Sequence, residues 1–167
     1  MVFDSSVIIS VGKWLDVNCE NISGTSSDVK IKCFNSGNSV NGPMSSILYL
    51  ARQSSRSKVT GLSPDEEAEI RQWLEFGLLI SQCTNNLIRR SMLKTLNEFI
   101  SSRTFLVGNR MTVADVLMYQ VLFSCMVEMN YAEKEQLLHL GRWFNFIQND
   151  EMVRQGNKLV HVGRPLF

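Results

Sequence analysis

The side chains best suited to nucleophilic, redox or metal chemistry are four cysteines and two histidines, and they are scattered singly along the chain. They are Cys19, Cys33, Cys83, Cys125, His139 and His161. Metal sites usually draw their ligands from local pairs such as Cys-x-x-Cys, and the sequence contains no such pair. Cys19 and Cys33 are alternatives as redox thiols, but neither begins a predicted helix nor has a base close by in the sequence. We therefore interpret the cysteines as small buried hydrophobic residues and predict no metal site and no disulfide framework.

The charged residues do not favour a nucleic-acid partner. Seventeen Lys and Arg against sixteen Asp and Glu leave a formal charge of +1, so no strong electrostatic field surrounds the chain. Direct contact with tRNA is an alternative for one set of cations, namely Arg52, Arg56, Lys58, Arg89 and Arg90. Aromatic residues that could stack on bases do not interleave with these cations, so we favour a solvated surface and expect no strong direct nucleic-acid binding.

Two short polar patterns are typical of helix starts rather than of active sites. Ser63 is followed three residues later by Glu66, which is the spacing of a capping box. Thr112 and Asp115 repeat that spacing. The Asp115 carboxylate can accept the backbone N–H of Thr112 and is favoured at the positive end of a helix, so we interpret Asp115 as structural. We expect Asp115→Ala or Thr112→Ala to cost about 1 to 2 kcal/mol each.

Arg142 is the charged residue that helix electrostatics leave unexplained. It lies near the start of the last predicted helix, about Leu138 to Gln148, where a positive charge is badly placed for the helix dipole. An internal carboxylate or a partner protein should therefore engage the guanidinium. These residues alone leave both alternatives open.

The elements that must position these residues fall into two parts. Apolar residues make up 44% and charged residues 20% of 167, which is the balance of a globular chain. Residues 1–58 predict a truncated α/β unit with a helix from Ser5 or Ser6, strands at Val29–Asn35 and around Val40, and a helix at Met44–Gln53. Residues 63–160 predict an all-α domain with helices starting at Ser63, Leu87, Thr112 and Leu138. The third of these helices is apolar nearly all round, which predicts the centre of a bundle.

Neither a secretory signal nor a membrane span is expected. Residues 1–10 have no positive region ahead of an apolar run and no small-residue cleavage site. The most apolar segment, Val113–Met129, is interrupted by Asp115, Gln120 and Glu128, and it is shorter than the ~20 residues of a membrane helix. We expect a soluble, intracellular protein with no membrane partner.

One segment carries a family resemblance. The residues FLVGNRMTVAD at Phe105–Asp115 resemble the FL-x-G-x-x-x-T-x-A-D signature of the glutathione-transferase C-terminal domain. Three further segments, Gln72–Phe76, Leu93–Asn97 and Arg142–Phe144, are similar to the elongation factor 1 epsilon family, the small auxiliary proteins of the multi-tRNA-synthetase complex. The resemblance implies a glutathione-transferase-like fold, with a reduced thioredoxin-like α/β N-terminal part and an all-α C-terminal helical bundle.

The same resemblance implies a function. Proteins of this family are non-catalytic scaffolds that dock onto transferase-like domains of methionyl-tRNA synthetase and glutamyl-prolyl-tRNA synthetase and so support translation. On that basis we expect no enzyme activity and no cofactor, with elongation factor 1 subunits as further partners. The expected location is the cytoplasm, with some function in the nucleus.

A glutathione-dependent transferase or glutathione-binding protein is the alternative function. Such enzymes use a Tyr, Ser or Cys at the end of their first strand, whereas this chain is predicted to begin with a helix. The resemblance places Lys32 where the family carries a cis-proline that presents backbone groups to glutathione. It places Gly42-Pro43 where a Gln or Glu and a Ser would bind the glutamyl end. These departures favour the scaffold.

Two docking faces are predicted for such a scaffold. The first combines an open edge of the strand Val29–Asn35 with Ile47, Leu48 and Tyr49 of the second helix, because unpaired backbone groups and apolar area both favour association. The second surrounds Arg142, whose planar guanidinium can pair with a carboxylate or with carbonyls of a partner. Two separate faces would let one small protein bridge two synthetases.

Overall fold

The computed structural model describes residues 5–17, 22–23, 30–32, 39–56 and 58–162. Its first part contains α1 (Ser5–Trp14), β1 (Ile22–Ser23), β2 (Lys30–Lys32), β3 (Ser39–Asn41) and α2 (Pro43–Gln53). Its second part contains α3 (Pro64–Gln82), α4 (Asn86–Phe99) with a 3₁₀ turn at Ile100–Ser102, α5 (Val113–Glu128), α6 (Tyr131–Glu135), α7 (Leu138–Gln148) and α8 (Glu151–Arg154). The four long helices predicted for this second part are confirmed.

The three strands form one antiparallel sheet in the order β1-β2-β3. Ile31 of β2 is in register with Ile22 of β1 on one side and with Val40 of β3 on the other. The predicted open edge along Val29–Asn35 is therefore wrong over β2, because both sides of this strand already have a partner strand. The reason for the error is β1, which is only two residues long and lies in a polar stretch where no strand was predicted.

Helix α5 is the buried centre of the bundle, as predicted. Every residue from Val113 to Leu122 is buried, because a helix that is apolar on all sides gains most by leaving water on all sides. Helix α3 packs beside it, and a Cβ at Gly77 would lie 3.6 Å from atoms of Leu117 and Met118, which is ordinary van der Waals contact. None of the described helices is long and apolar enough to span a membrane.

The two parts of the chain contribute to one hydrophobic core. Ile8 of α1 and Ile47 of α2 are both fully buried, and α1 packs against α5 and α8. Gln155, just after α8, donates its side-chain amide to the carbonyl of Ser10 at 2.6 Å. The predicted boundary therefore separates an α/β part, residues 1–58, from an all-α part, residues 63–160. That these two parts are independent domains stays a prediction.

The start of α3 differs in one detail from the predicted capping box. Ser63 accepts a hydrogen bond from the N–H of Glu66 at 3.2 Å, but the Glu66 carboxylate accepts from the N–H of Leu62 at 2.7 Å instead of that of Ser63. The chain enters the helix through Gly61 at φ 113°, a conformation that favours glycine, and Glu66 also pairs with Arg110. Because of the turn at Gly61 and the pairing with Arg110, the Glu66 carboxylate accepts the N–H of Leu62, one residue before the predicted donor Ser63. The hydrogen bond and charge of Arg110 hold the pKa of Glu66 below its usual value.

Candidate docking surface

Asp115, at the start of α5, is a fully buried acidic residue whose carboxylate accepts four hydrogen bonds. Oδ2 accepts the backbone N–H and the hydroxyl of Thr112, both at 3.0 Å. Oδ1 accepts the N–H of Leu106 at 2.9 Å and the indole N–H of Trp143 at 3.3 Å. Burial raises the pKa of Asp115 above its usual value, and the hydrogen bonds oppose that rise. The carboxylate therefore links the start of α5 to α7 and positions α7. This role is structural.

Helix α7 has one face in the core and one face in solvent. Its inward side chains are almost completely buried and comprise Leu140, Trp143, Phe144 and Ile147. Its outward face carries Arg142 between two exposed apolar residues, Leu138 at 66% and Phe146 at 48% exposure. Because these three residues are spaced by four, they form one row along the helix. A fixed arginine with apolar neighbours is typical of residues that dominate protein interfaces.

Arg142 is held by backbone carbonyls at the end of α4. Its Nη2 donates to the carbonyl oxygens of Ile100 at 2.7 Å, Ser101 at 3.4 Å and Arg103 at 2.8 Å. The last carbonyls of a helix carry the negative end of its dipole, so a charge badly placed for α7 is well placed for α4. Of the two alternatives, an internal carboxylate is therefore not what holds Arg142, because backbone carbonyls take that place. These three bonds use Nη2, which leaves Nη1 and Nε to donate to a partner. Binding of a partner by Arg142 stays a prediction.

The segment 157–162, which we call the C-terminal strap, follows α8 and is fastened to α7. Gln148 at the end of α7 donates to the carbonyl of Val160 at 2.9 Å and accepts from its N–H at 3.0 Å. One side-chain amide thus satisfies both backbone groups of Val160, whose side chain is only 7% exposed. The strap is therefore a specifically bound part of the surface.

Two more contacts fix the strap further along. Gly141 of α7 makes room for Val162, since a Cβ on Gly141 would lie 2.4 Å from Val162 Cγ1. Lys134 of α6 donates to the carbonyl of His161 at 3.2 Å. The sequence did not reveal this segment, because its apolar residues follow neither helical nor strand periodicity. The one available signal is the glycine at position 141 inside an otherwise regular helix.

The docking residues predicted on α2 lie largely inside the molecule. Ile47 is 0% and Leu48 is 8% exposed. The prediction that these two side chains contact a partner is wrong, because they already belong to the core that α1 and α2 share. Tyr49 is half-buried against the same core, and its contact with a partner stays a prediction.

Two of the five cations considered for tRNA contact have acidic neighbours. Arg90 pairs with Glu133 of α6, and Arg52 approaches Glu67 of α3 at 3.5 Å. The guanidinium of Arg56 lies over the ring of Trp14 in α1, 4.9 Å from the ring centroid. These pairings favour the interpretation of a solvated surface.

Two of the four cysteines, Cys83 and Cys125, fall within the described residues, and both are half-buried free thiols. Burial raises the pKa of Cys125 above its usual value, which disfavours a reactive thiolate. Cys19 and Cys33 lie outside the described residues. In the part of the chain that the structure describes, no group of three or more His, Cys, Asp or Glu residues could hold a metal ion.

The arrangement of α1 to α8 defines the structural class of the protein. A glutathione transferase of Bombyx mori matches it with a TM-score of 0.66, covering 89% of this chain and 82% of that chain. Sequence identity between the two is 15%, so the match concerns the fold alone. The chain has a glutathione-transferase-like fold, which confirms the predicted fold class.

The sequence places the chain in a particular family of that class. The family model described as nuclear-export cofactor Arc1p matches residues 66–151, a region that contains Asp115 and Arg142. Elongation factor 1 epsilon-1 of Mus musculus is 32% identical over 122 residues, which span 72% of this chain and 70% of that protein. The chain belongs to this family of Arc1p-like and elongation factor 1 epsilon proteins, and the resemblance drawn from the sequence is confirmed.

A segment of a tRNA synthetase is related as well. The bifunctional glutamate/proline–tRNA ligase of Cricetulus griseus is 33% identical over 153 residues. These residues are 90% of this chain but only 9% of that ligase. The chain is thus similar to one small segment of a large enzyme.

Proposed function

We propose that this chain is a non-catalytic scaffold of the multi-tRNA-synthetase complex. Its partners are transferase-like domains of glutamyl-prolyl-tRNA synthetase and methionyl-tRNA synthetase, with elongation factor 1 subunits as further partners. The observation that carries the proposal is the outward face of α7, where Arg142 is fixed between Leu138 and Phe146. The relatives support it, because one is named as a translation elongation factor and another as a tRNA ligase. The proposed location is the cytoplasm, with a second function in the nucleus.

The α7 face suits docking because its cation is already ordered. Arg142 is anchored through Nη2, so binding a partner costs little further side-chain entropy, while Nη1 and Nε can donate to a carboxylate or carbonyl. Leu138 and Phe146 supply apolar area around the guanidinium. When a partner buries this apolar area, water is excluded from the hydrogen bonds between Arg142 and the partner, and those bonds become stronger.

Bridging two synthetases requires a second face, and α2 is the element that we propose for it. With Ile47 and Leu48 in the core, the half-buried residues Met44 and Tyr49 are the ones left to reach a partner. This second face is smaller than first predicted, so the α7 face should dominate binding.

A pulldown tests the scaffold function directly. The chain is immobilised, incubated with cytosol, and the retained proteins are identified by mass spectrometry. We expect glutamyl-prolyl-tRNA synthetase among them, and we expect Leu138→Asp to lose it because a charge would enter the apolar row. Leu79→Asp is the matched control, since Leu79 is 57% exposed but lies on α3. Equal recovery of the synthetase by wild type and Leu138→Asp would contradict the role of the α7 face.

The alternative function, glutathione binding or conjugation, is suggested by the fold shared with the Bombyx mori enzyme. We expect calorimetry at millimolar glutathione to show no saturable heat. The physical reason lies at the start of α2, where Gly42 at the N-cap offers no side-chain group and Pro43 offers no backbone N–H. An active glutathione transferase in the same buffer is the positive control. Saturable binding with turnover of an electrophile would overturn the scaffold.

A further inference from the structure

The C-terminal strap and α7 line an open notch of about 340 Å³ beside Arg142. One wall is the outward face of α7, including Arg142 and Asn145, and the other is formed by His161 and Val162 of the strap. Lys134 of α6 also lines it. Without the strap, Arg142 would lie on an open helix surface.

The ionised side chains that line this notch are positive. Lys134 and Arg142 are both cations. Among the described residues, the lining contains no carboxylate. This contrasts with other cations of the molecule, such as Arg71, which pairs with Glu67 at 2.7 Å. The notch is therefore an uncompensated positive site.

The acidic neighbours of Lys134 on α6 are engaged elsewhere. Glu133 pairs with Arg90 of α4. Glu135 accepts a hydrogen bond from the hydroxyl of Tyr131 at 3.2 Å. Neither Glu133 nor Glu135 belongs to the lining that the structure describes for the notch.

Both cations are also held in position with donors to spare. Within the described part of the chain, the hydrogen bonds that anchor Arg142 all use Nη2. The ammonium group of Lys134 has three N–H bonds and donates one of them to the carbonyl of His161. Anchored cations with unused donors are the usual construction of a site for a carboxylate.

We propose that this notch binds a carboxylate side chain of the docked protein partner and that the strap is a working part of the docking site. The proposal rests on the proposed function of the α7 face. The strap acts by placing His161 and Val162 opposite Arg142, so that the guanidinium forms one wall of an open notch. A carboxylate there can accept charge-assisted hydrogen bonds from both Arg142 and Lys134.

Asn145→Asp tests the ligand chemistry with little change in shape. Asn145 Oδ1 accepts a hydrogen bond from Gln148 Nε2 at 2.9 Å, and an aspartate oxygen can accept the same bond while adding a negative charge to the notch. We expect its affinity for a purified transferase-like domain of glutamyl-prolyl-tRNA synthetase to fall about tenfold, with most of the loss removed at high salt. Asn149→Asp is the control at the C-cap of the same helix, outside the notch lining, and should change affinity less than about twofold.

Gln148→Leu tests the strap. This variant removes both hydrogen bonds to Val160, so amide hydrogen exchange of the strap should accelerate and affinity should fall about tenfold, while circular dichroism shows a folded protein. Unchanged affinity with a released strap would show that the strap takes no part in docking.

The outcomes separate this proposal from the scaffold function. Wild-type binding that Leu138→Asp abolishes but Asn145→Asp leaves intact would keep the scaffold and overturn the carboxylate site. A wild-type chain that binds no synthetase domain would overturn both. Equal effects of Asn145→Asp and Asn149→Asp would indicate general charge repulsion and would also contradict the notch.

Discussion

Replacing Asp115 by alanine is expected to lower the free energy of unfolding by about 3 to 5 kcal/mol. The sequence predicts a smaller loss of about 1 to 2 kcal/mol, which is the value of one helix cap. The structure adds the Leu106 N–H and the Trp143 indole N–H to the donors that this carboxylate satisfies. Removal of the carboxylate leaves these buried donors without an acceptor, and that penalty exceeds the loss of a cap. Urea denaturation followed by fluorescence measures the difference.

Asp150→Ala is the matched control for this stability experiment. Asp150 also caps a helix, accepting the N–H groups of Met152 and Val153 at 2.8 and 3.2 Å, but α8 has only four residues. Its replacement should cost about 1 kcal/mol. Similar unfolding midpoints for the two variants would contradict the view that Asp115 joins α5 to α7.

Arg142→Ala should weaken docking on one synthetase by about 2 kcal/mol or more, which is roughly a 30-fold rise in Kd. The variant should stay folded, because water can replace Nη2 at the carbonyls of Ile100 and Arg103, with a loss of about 1 kcal/mol in stability. Calorimetry measures affinity and circular dichroism measures folding. A partner that uses the opposite face should bind unchanged.

Arg71→Ala serves as the control for that experiment. Arg71 is likewise an exposed arginine, paired with Glu67, but it lies on α3. It should bind both partners as the wild type does. Loss of folding in Arg142→Ala, or equal loss of both partners, would return Arg142 to a purely structural role.

The long helices could be predicted because their signals are local. Ser63 and Thr112 are N-caps, and the residues between neighbouring helices interrupt the apolar pattern. Three short elements, β1, α6 and α8, could not be predicted, since their two to five residues show no apolar periodicity. These elements are stabilised by contacts with distant parts of the chain, and such contacts leave no local pattern in the sequence.

The candidate surface was only partly predictable for the same reason. Arg142 could be singled out, because its charge opposes the dipole of its own helix, but the carbonyls that hold it lie about 40 residues earlier in the chain. Ile47 and Leu48 could not be assigned correctly, since an apolar helix face looks alike whether it meets the core or a partner. The contact of Gln148 with Val160 depends on a turn after α8 that no motif announces.

The scaffold function is tested most directly by mixing the purified chain with a transferase-like domain of glutamyl-prolyl-tRNA synthetase. Size-exclusion chromatography with light scattering then reports the mass of what elutes. The account predicts a one-to-one complex at micromolar concentration, lost in Leu138→Asp and retained in Leu79→Asp. Separate elution of the two proteins at that concentration, together with saturable binding of glutathione by the chain alone, would contradict it.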